Sequence, residues 1–169
     1  CSVELPQLRN VKYIFTENKN NDFGGYCHAI KAMPDVLDYD YFFFINSSVR
    51  GPFTLANDDR EWTENFTQYL DNDVALVGIS INILHADTIF SEIYELSYGG
   101  LKPYSHVQTT AYALHRRGLE TLIDEKFYEV DQRMVKEDVI THYELRLSQL
   151  LLEKGWNIKC LLPEYNQID

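Results

Sequence analysis

Long apolar runs are missing from this chain. Nowhere do about 18 apolar residues follow one another, so no segment reads as a membrane-spanning helix. Basic residues are scarce as well. Fifteen Lys and Arg stand against 26 Asp and Glu, a formal net charge of −11. That argues against a nucleic-acid partner, whose phosphates need clustered Lys and Arg. It leaves room for a small phosphorylated ligand, which needs only a few local donors. The acidic residues are scattered, so they form no acidic tail. Cysteine is sparse: Cys1, Cys27 and Cys160 give neither a metal-type spacing nor a disulfide framework. That points to a reducing compartment, cytoplasmic or peripheral to a membrane. The sequons Asn46-Ser47-Ser48 and Asn65-Phe66-Thr67 keep the secretory lumen open. The histidines lack a ligand spacing such as His-Glu-x-x-His. No internal repeat or low-complexity linker is present.

What is there suits a folded globule. The 169 residues are 45% hydrophobic and 14% aromatic, enough for one domain with a sizeable core. Tyr, with 12 residues, is frequent; aromatic faces can pack on sugars, and they also fill cores. The first residue is Cys and not Met, so residues 1–169 read as one domain taken from a longer sequence.

Strand and helix patterns alternate, which favours an α/β layered domain. Val11 to Phe15 reads as a short buried strand, and Phe23 to Met33 as a helix stopped by Pro34. Asp38 to Ile45 is bulky and apolar, as a central strand should be. Trp62 to Leu70 has helical spacing. Val74 to Ile79 reads as a buried strand, and Thr88 to Tyr94 as either type. Pro103 to Leu114 reads as a strand and Arg117 to Ile123 as a helix. Glu137 to Lys154 reads as the longest helix, stopped by Gly155. Trp156 to Leu162 reads as the last strand.

Two loops at strand ends are candidate binding sites, since open α/β sheets bind ligands there. The first runs from Glu17 to Gly25 into a helix, where backbone N–H groups can face an anion such as a diphosphate. Gly24 and Gly25 permit close backbone approach, and Asp22 can accept from sugar hydroxyls. Alternatively, Asp22 is a helix N-cap. The second loop is Asn46-Ser47-Ser48-Val49-Arg50, followed by a turn at Gly51-Pro52. Carboxylates after a central strand would hold a divalent cation against a diphosphate. Here Asn-Ser-Ser stands in that place, and Arg50 offers a forked positive charge. A turn in which Asn and Ser satisfy local backbone groups explains the same residues.

Glu144 shares a helix stripe with Ile140, Leu147 and Leu151. A carboxylate there costs free energy unless it is paired or useful, and desolvation raises its pKa towards a range that suits a general base. His106 or Tyr143 could be its donor partner. The competing reading is a boundary Glu whose tip reaches water or a Tyr. Glu137 and Asp138 suit a helix first turn for dipole reasons alone. His106 and Gln108 alternate along the strand read over 103–114, where they could touch a sugar or form a satisfied polar pair.

Taken together, six segments resemble one family. They are Glu17-Asn18 through Asp22-Phe23-Gly24-Gly25-Tyr26, Tyr41-Phe-Phe-Phe-Ile-Asn-Ser-Ser-Val-Arg-Gly-Pro-Phe53, Val74-Ala-Leu-Val-Gly-Ile-Ser80, His106-Val-Gln108, Tyr143-Glu-Leu-Arg-Leu-Ser148 and Gly155-Trp-Asn-Ile-Lys-Cys-Leu-Leu-Pro163. In this order they resemble the sugar-transferase domains of rhamnan-synthesis-F type and related capsule or surface-polysaccharide glycosyltransferases.

The resemblance implies a GT-A-like, Rossmann-like fold with a mixed, mainly parallel sheet flanked by helices. It implies transfer of a hexose or deoxyhexose from a nucleotide-diphosphate sugar to a glycan acceptor, and a single candidate base, Glu144, suggests inversion. Asn18, Asp22, Gly24, Gly25, Asn46, Ser47, Ser48, His106 and Gln108 would bind the donor or substrate. Glu144 would be the base, and Arg50 would stabilise the departing diphosphate. Asn46 and Ser48 would hold manganese or magnesium where one is used. Relatives often carry Asn-Asp-Ser at this place, so Ser47 is a departure that bears on metal dependence. A non-catalytic carbohydrate- or nucleotide-sugar-binding module of the same fold is the alternative.

Overall fold

The computed structural model describes residues 4–53, 59–100, 102–129 and 132–167, so Cys1 lies outside the described residues. Residues 4–20 contain no strand. The strand expected at Val11 to Phe15 is absent, and Val11, Ile14 and Phe15 are exposed. A strand needs a paired edge for its backbone groups. Here side chains tie the segment down instead: Lys12 Nζ donates to Ala32 O (2.7 Å) and Tyr13 Oη to Pro6 O (2.7 Å).

The regular elements then run α1 (Asn21–Lys31), β1 (Tyr41–Ile45), α2 (Glu64–Thr67), β2 (Val74–Gly78), β3 (Ile81–Leu84), α3 (Ile89–Tyr98), β4 (Tyr104–Val107), β5 (Ala111–His115) and α4 (Arg116–Asp124). A long helix follows in three parts, α5 (Lys136–Val139), a π-helical segment (Ile140–Leu145) and α6 (Arg146–Glu153), and β6 (Asn157–Cys160) comes last. Gly155, at φ 86°, ends the long helix, a left-handed conformation that glycine adopts without a Cβ penalty. The ambiguous 88–94 segment belongs to α3, whose start is capped by Thr88 Oγ1 accepting from Ser91 N at 3.2 Å. Of the helix expected over 62–70, only α2 is α-helical.

The main sheet has the order β1-β5-β2-β6. β5 is antiparallel to β1 and β2, while β2 and β6 are parallel. A second sheet pairs β3 with β4, antiparallel. The fold is therefore mixed α/β with a mixed sheet, but that sheet is mostly antiparallel and not mainly parallel. The difference arises at 103–114, expected as one strand. It forms two strands in different sheets, joined by the turn 108–110. Apolar patterning marks strands but not their direction. β1 is an edge strand among the described residues and not a central one, with Tyr41 and Ile45 exposed.

Side chains alternate across the main sheet. Phe44, Leu76, Tyr112 and Leu114 face a core built with α1, α4 and the long helix, including Phe23, Leu119, Leu147 and Leu151. Val74, Val77 and Ala113 face a smaller cluster with Phe66 and Leu70 around α2. Each fully buried leucine contributes about 1.5–3 kcal/mol of burial. Cys27 and Cys160 are buried and free. Among the described residues no helix is long and apolar enough to cross a membrane.

Candidate functional site

A cleft of about 400 Å³ opens where the start of α1, the end of β1, the 108–110 turn and the π segment converge. Asn18, Asn21, Asp22, Phe23, Asn46, Gln108, Thr109, Thr110 and Glu144 line it. This volume suits a small polar ligand.

Local sequence explains how α1 reaches the cleft. Asn20 and Asn21 both take left-handed backbone conformations (φ 58° and 52°), which Asn tolerates better than most residues. Asn20, not Asp22, occupies the N-cap position, and its side chain makes no capping bond. It clamps another segment instead. Asn20 Nδ2 donates to Gln132 O (2.7 Å), and Asn20 Oδ1 accepts from Met134 N (2.8 Å). The start of α1 is thereby pinned to the approach to α5. Asp22 is left half-exposed in the first turn, at the cleft. Gly24 is buried, and a Cβ there would lie 1.9 Å from Lys19 O, so this glycine serves a close backbone approach within the loop. Gly25 faces open space.

The other walls are equally fixed. Asn46 N donates to Thr110 O at 3.0 Å, closing the end of β1 on the 108–110 turn. Gln108 N donates to Ser80 O at 2.9 Å. Ser148 Oγ accepts from Val107 N (2.9 Å), and Gln149 Nε2 donates to Ser105 O (2.6 Å), so α6 holds β4 directly.

Glu144 projects from the π segment and is half-buried. The wider turn of a π segment breaks the 3.6-residue period, and such segments recur at functional sites. Thr141, Tyr143 and Leu145 are all buried around Glu144, a spread of directions that a straight amphipathic stripe does not give. Among the described residues no hydrogen bond or ion pair reaches its carboxylate. The donor expected from His106 is absent, because His106 is buried and its Nδ1 donates to Tyr104 O at 3.1 Å. Burial lowers the pKa of His106. For Glu144, burial first and the Asp22 carboxylate second raise the pKa above the ordinary glutamate range, while Lys136 acts in the opposite sense.

This has a consequence for stability. The folded chain binds the Glu144 proton more tightly than the unfolded chain does. The resulting penalty is absent below the ordinary glutamate range, about pH 4. It grows as pH rises through the raised folded value and is complete above it. Glu144→Gln is therefore expected to melt higher than the parent at neutral pH, with the gap closing towards pH 4. Thermal unfolding across that range checks it; equal melting temperatures at neutral pH would contradict it.

The remaining candidates are placed elsewhere or differently engaged. Asn46 Oδ1 accepts from Ser48 N (2.9 Å) and Ser48 Oγ (2.6 Å), a local turn that already uses the oxygen a cation would need. Asn46 and Ser48 are also both neutral, and the described residues contain no group of three or more His, Cys, Asp or Glu around a common point. The pair does not fit a resident manganese or magnesium ion. Ser47 is exposed. Arg50 lines a separate, mainly apolar cleft with Ile45, Phe53, Trp62, Phe66 and Ile79. Ile45 and Asn46 are neighbours at the end of β1 yet line different clefts, as alternation across a strand requires. Gln108 lies past the end of β4, so it and His106 do not share a strand face.

Asn21, Phe23, Thr109 and Thr110 complete the cleft without having been singled out as site residues. Thr109 and Thr110 are hidden by reading 103–114 as one strand; the only signal for a break there is a run of polar residues, Gln108-Thr109-Thr110. Comparison with protein-family models, with curated proteins and with solved structures finds no match.

Proposed function

We propose that this chain is a sugar-transferase domain. It passes a hexose or deoxyhexose from a nucleotide-diphosphate sugar to a hydroxyl of a glycan acceptor, with inversion. One observation carries the reading: Asn18, Asp22, Asn46, Gln108 and Glu144, from four separated segments, line one cleft. The amides of Asn18, Asn21 and Gln108 can both donate to and accept from sugar hydroxyls, and the Asn46 Nδ2 can donate. Burial and the neighbouring Asp22 carboxylate favour protonation of Glu144.

In this reaction the acceptor hydroxyl loses its proton to Glu144. Its oxygen forms a bond to the anomeric carbon as the bond from that carbon to the diphosphate oxygen breaks. The bonding pair departs with the nucleoside diphosphate. Lining by neutral amides and hydroxyls with two carboxylates suits the sugar and acceptor portions better than the diphosphate. Arg50 lines the other cleft, so its expected contact with the departing diphosphate is not part of this reading.

The same charge distribution favours a second reading, a carbohydrate-binding module without turnover. Among the described residues no Lys or Arg lines the Glu144 cleft, and a neutral sugar needs none. A thermal-shift screen of nucleotide sugars, with and without manganese, separates the two when followed by an assay for released nucleoside diphosphate. A transferase is stabilised by at least one donor and releases diphosphate when acceptor is supplied. Stabilisation without release assigns the binding module, and no shift with any nucleotide sugar or free sugar rejects both.

A further inference from the structure

Asp22 and Glu144 line the same cleft from different elements, the first turn of α1 and the π segment. Their relative placement is rigid. Phe23, next to Asp22, and Tyr143, next to Glu144, are both buried and pack with ring centroids 5.2 Å apart and planes tilted by 31°. Phe127 meets both rings edge-on, at 6.1 Å from Phe23 and 5.4 Å from Tyr143. The Asn20 clamp holds the same two parts of the chain together from the loop side. Two acidic side chains are thus held in one opening, and among the described residues no hydrogen bond or ion pair reaches either carboxylate.

The charges around Glu144 are few. Asp22 comes from α1 and Lys136, of opposite sign, from α5. The end of β1 and the 108–110 turn present neutral Asn46, Gln108, Thr109 and Thr110. His106, on β4, is disfavoured from charging by its burial. α3 directs Tyr98 to His142 Nδ1 (2.7 Å) and Tyr94 to Arg146 (3.0 Å).

We propose, on the reading of this cleft as a transfer site, that Asp22 is a positioning residue that acts through Glu144. Its negative charge, held in the same cleft by the packing of Phe23 on Tyr143, makes Glu144 a stronger proton acceptor than burial alone would. Asp22 takes up no proton from the acceptor and needs no contact with the reacting atoms. Glu144 accepts the hydroxyl proton, and the neighbouring charge favours the protonated product of that step. Like charges sharing a site disfavour joint ionisation, which is the physical basis of the coupling.

Carboxyl carbon NMR titration of Glu144 in the whole chain tests the coupling without relying on catalysis. Asp22→Asn is expected to move the Glu144 titration to lower pH, with Glu144→Gln identifying the resonance. Lys136→Met, an exposed substitution that leaves the loop clamp untouched, is expected to move it to higher pH. An unmoved Glu144 titration in Asp22→Asn overturns the proposal. Should that variant fail to fold, an unmoved titration in Lys136→Met overturns the electrostatic account on which it rests. In turnover assays the acidic limb of the kcat/KM profile should follow the NMR shift in Asp22→Asn, with Asp22→Glu restoring the parental limb. A limb that stays in place while only KM rises would make Asp22 a ligand contact and reject the positioning role. Coupling seen by NMR in a chain that turns over no nucleotide sugar would reject the transferase reading and uphold the pair.

Discussion

Replacing Glu144 with glutamine is expected to lower turnover by roughly 10²–10⁴-fold, the usual range for a lost general base. Donor binding should be nearly unchanged. Glutamine keeps the shape and most of the polarity of the side chain but cannot take a proton. Because no hydrogen bond or ion pair from a described residue holds the Glu144 carboxylate, the substitution strands no partner there. That separates chemistry from folding: the variant should be slower and, at neutral pH, more stable. A structural glutamate bonded into the core would give the reverse, normal chemistry in a weakened fold. Steady-state kinetics with the best donor from the nucleotide-sugar screen measures the loss. Turnover within a fewfold of the parent would remove Glu144 as the base.

The second large effect is expected at Gly24, and it is structural. An added methyl would meet Lys19 O at 1.9 Å and Lys19 C at 3.0 Å, both backbone atoms with little room to yield. Alanine recovers about 0.8–1.0 kcal/mol of helix propensity over glycine. Overpacking costs typically 1–3 kcal/mol and occasionally more. The clash lies one residue before Asn20, so relieving it strains the clamp to Gln132 and Met134. A net destabilisation of about 2 kcal/mol is expected for Gly24→Ala, since the contact falls well inside the separation that ordinary overpacking must relieve. Gly25→Ala provides the control. Its Cβ meets nothing within 4 Å, so the helix-propensity gain should appear without cost. Urea denaturation of both variants checks the contrast; equal midpoints would contradict the close approach at residue 24.

These two residues also show what was legible in the sequence. Glu144 stood out because a carboxylate shares a stripe with Ile140, Leu147 and Leu151, and that signal survives although the π segment bends the stripe. Gly24 stood out as part of a glycine pair. The chain uses it to pack loop on helix, a purpose that a sequence does not distinguish from ligand approach. Buried strands such as Val74–Gly78 were readable because all five residues are apolar or glycine and all are buried. Val11 to Phe15 carries a similar pattern but finds no paired edge among the described residues, and local pattern cannot supply one. The direction of β5, and with it the antiparallel character of the sheet, depends on the turn at 108–110. That turn has neither glycine nor proline to mark it. The same turn delivers Thr109 and Thr110 to the cleft, so one missed break hid both a topological feature and two lining residues. Arg50 was grouped with Asn46 by closeness in sequence. At the end of β1 Ile45 and Asn46 line different clefts, and Arg50 lines the one that Ile45 does.

The central claim is that the Glu144 cleft is where a sugar binds and reacts. Backbone amide NMR shifts on adding the nucleotide sugar that stabilises the chain most would test it directly. The expected result is a set of perturbations at Asn18, Asn21–Phe23, Asn46, Gln108–Thr110 and Glu144. Perturbations confined to Arg50–Phe53, Trp62 and Phe66, with the Glu144 cleft silent, would contradict it.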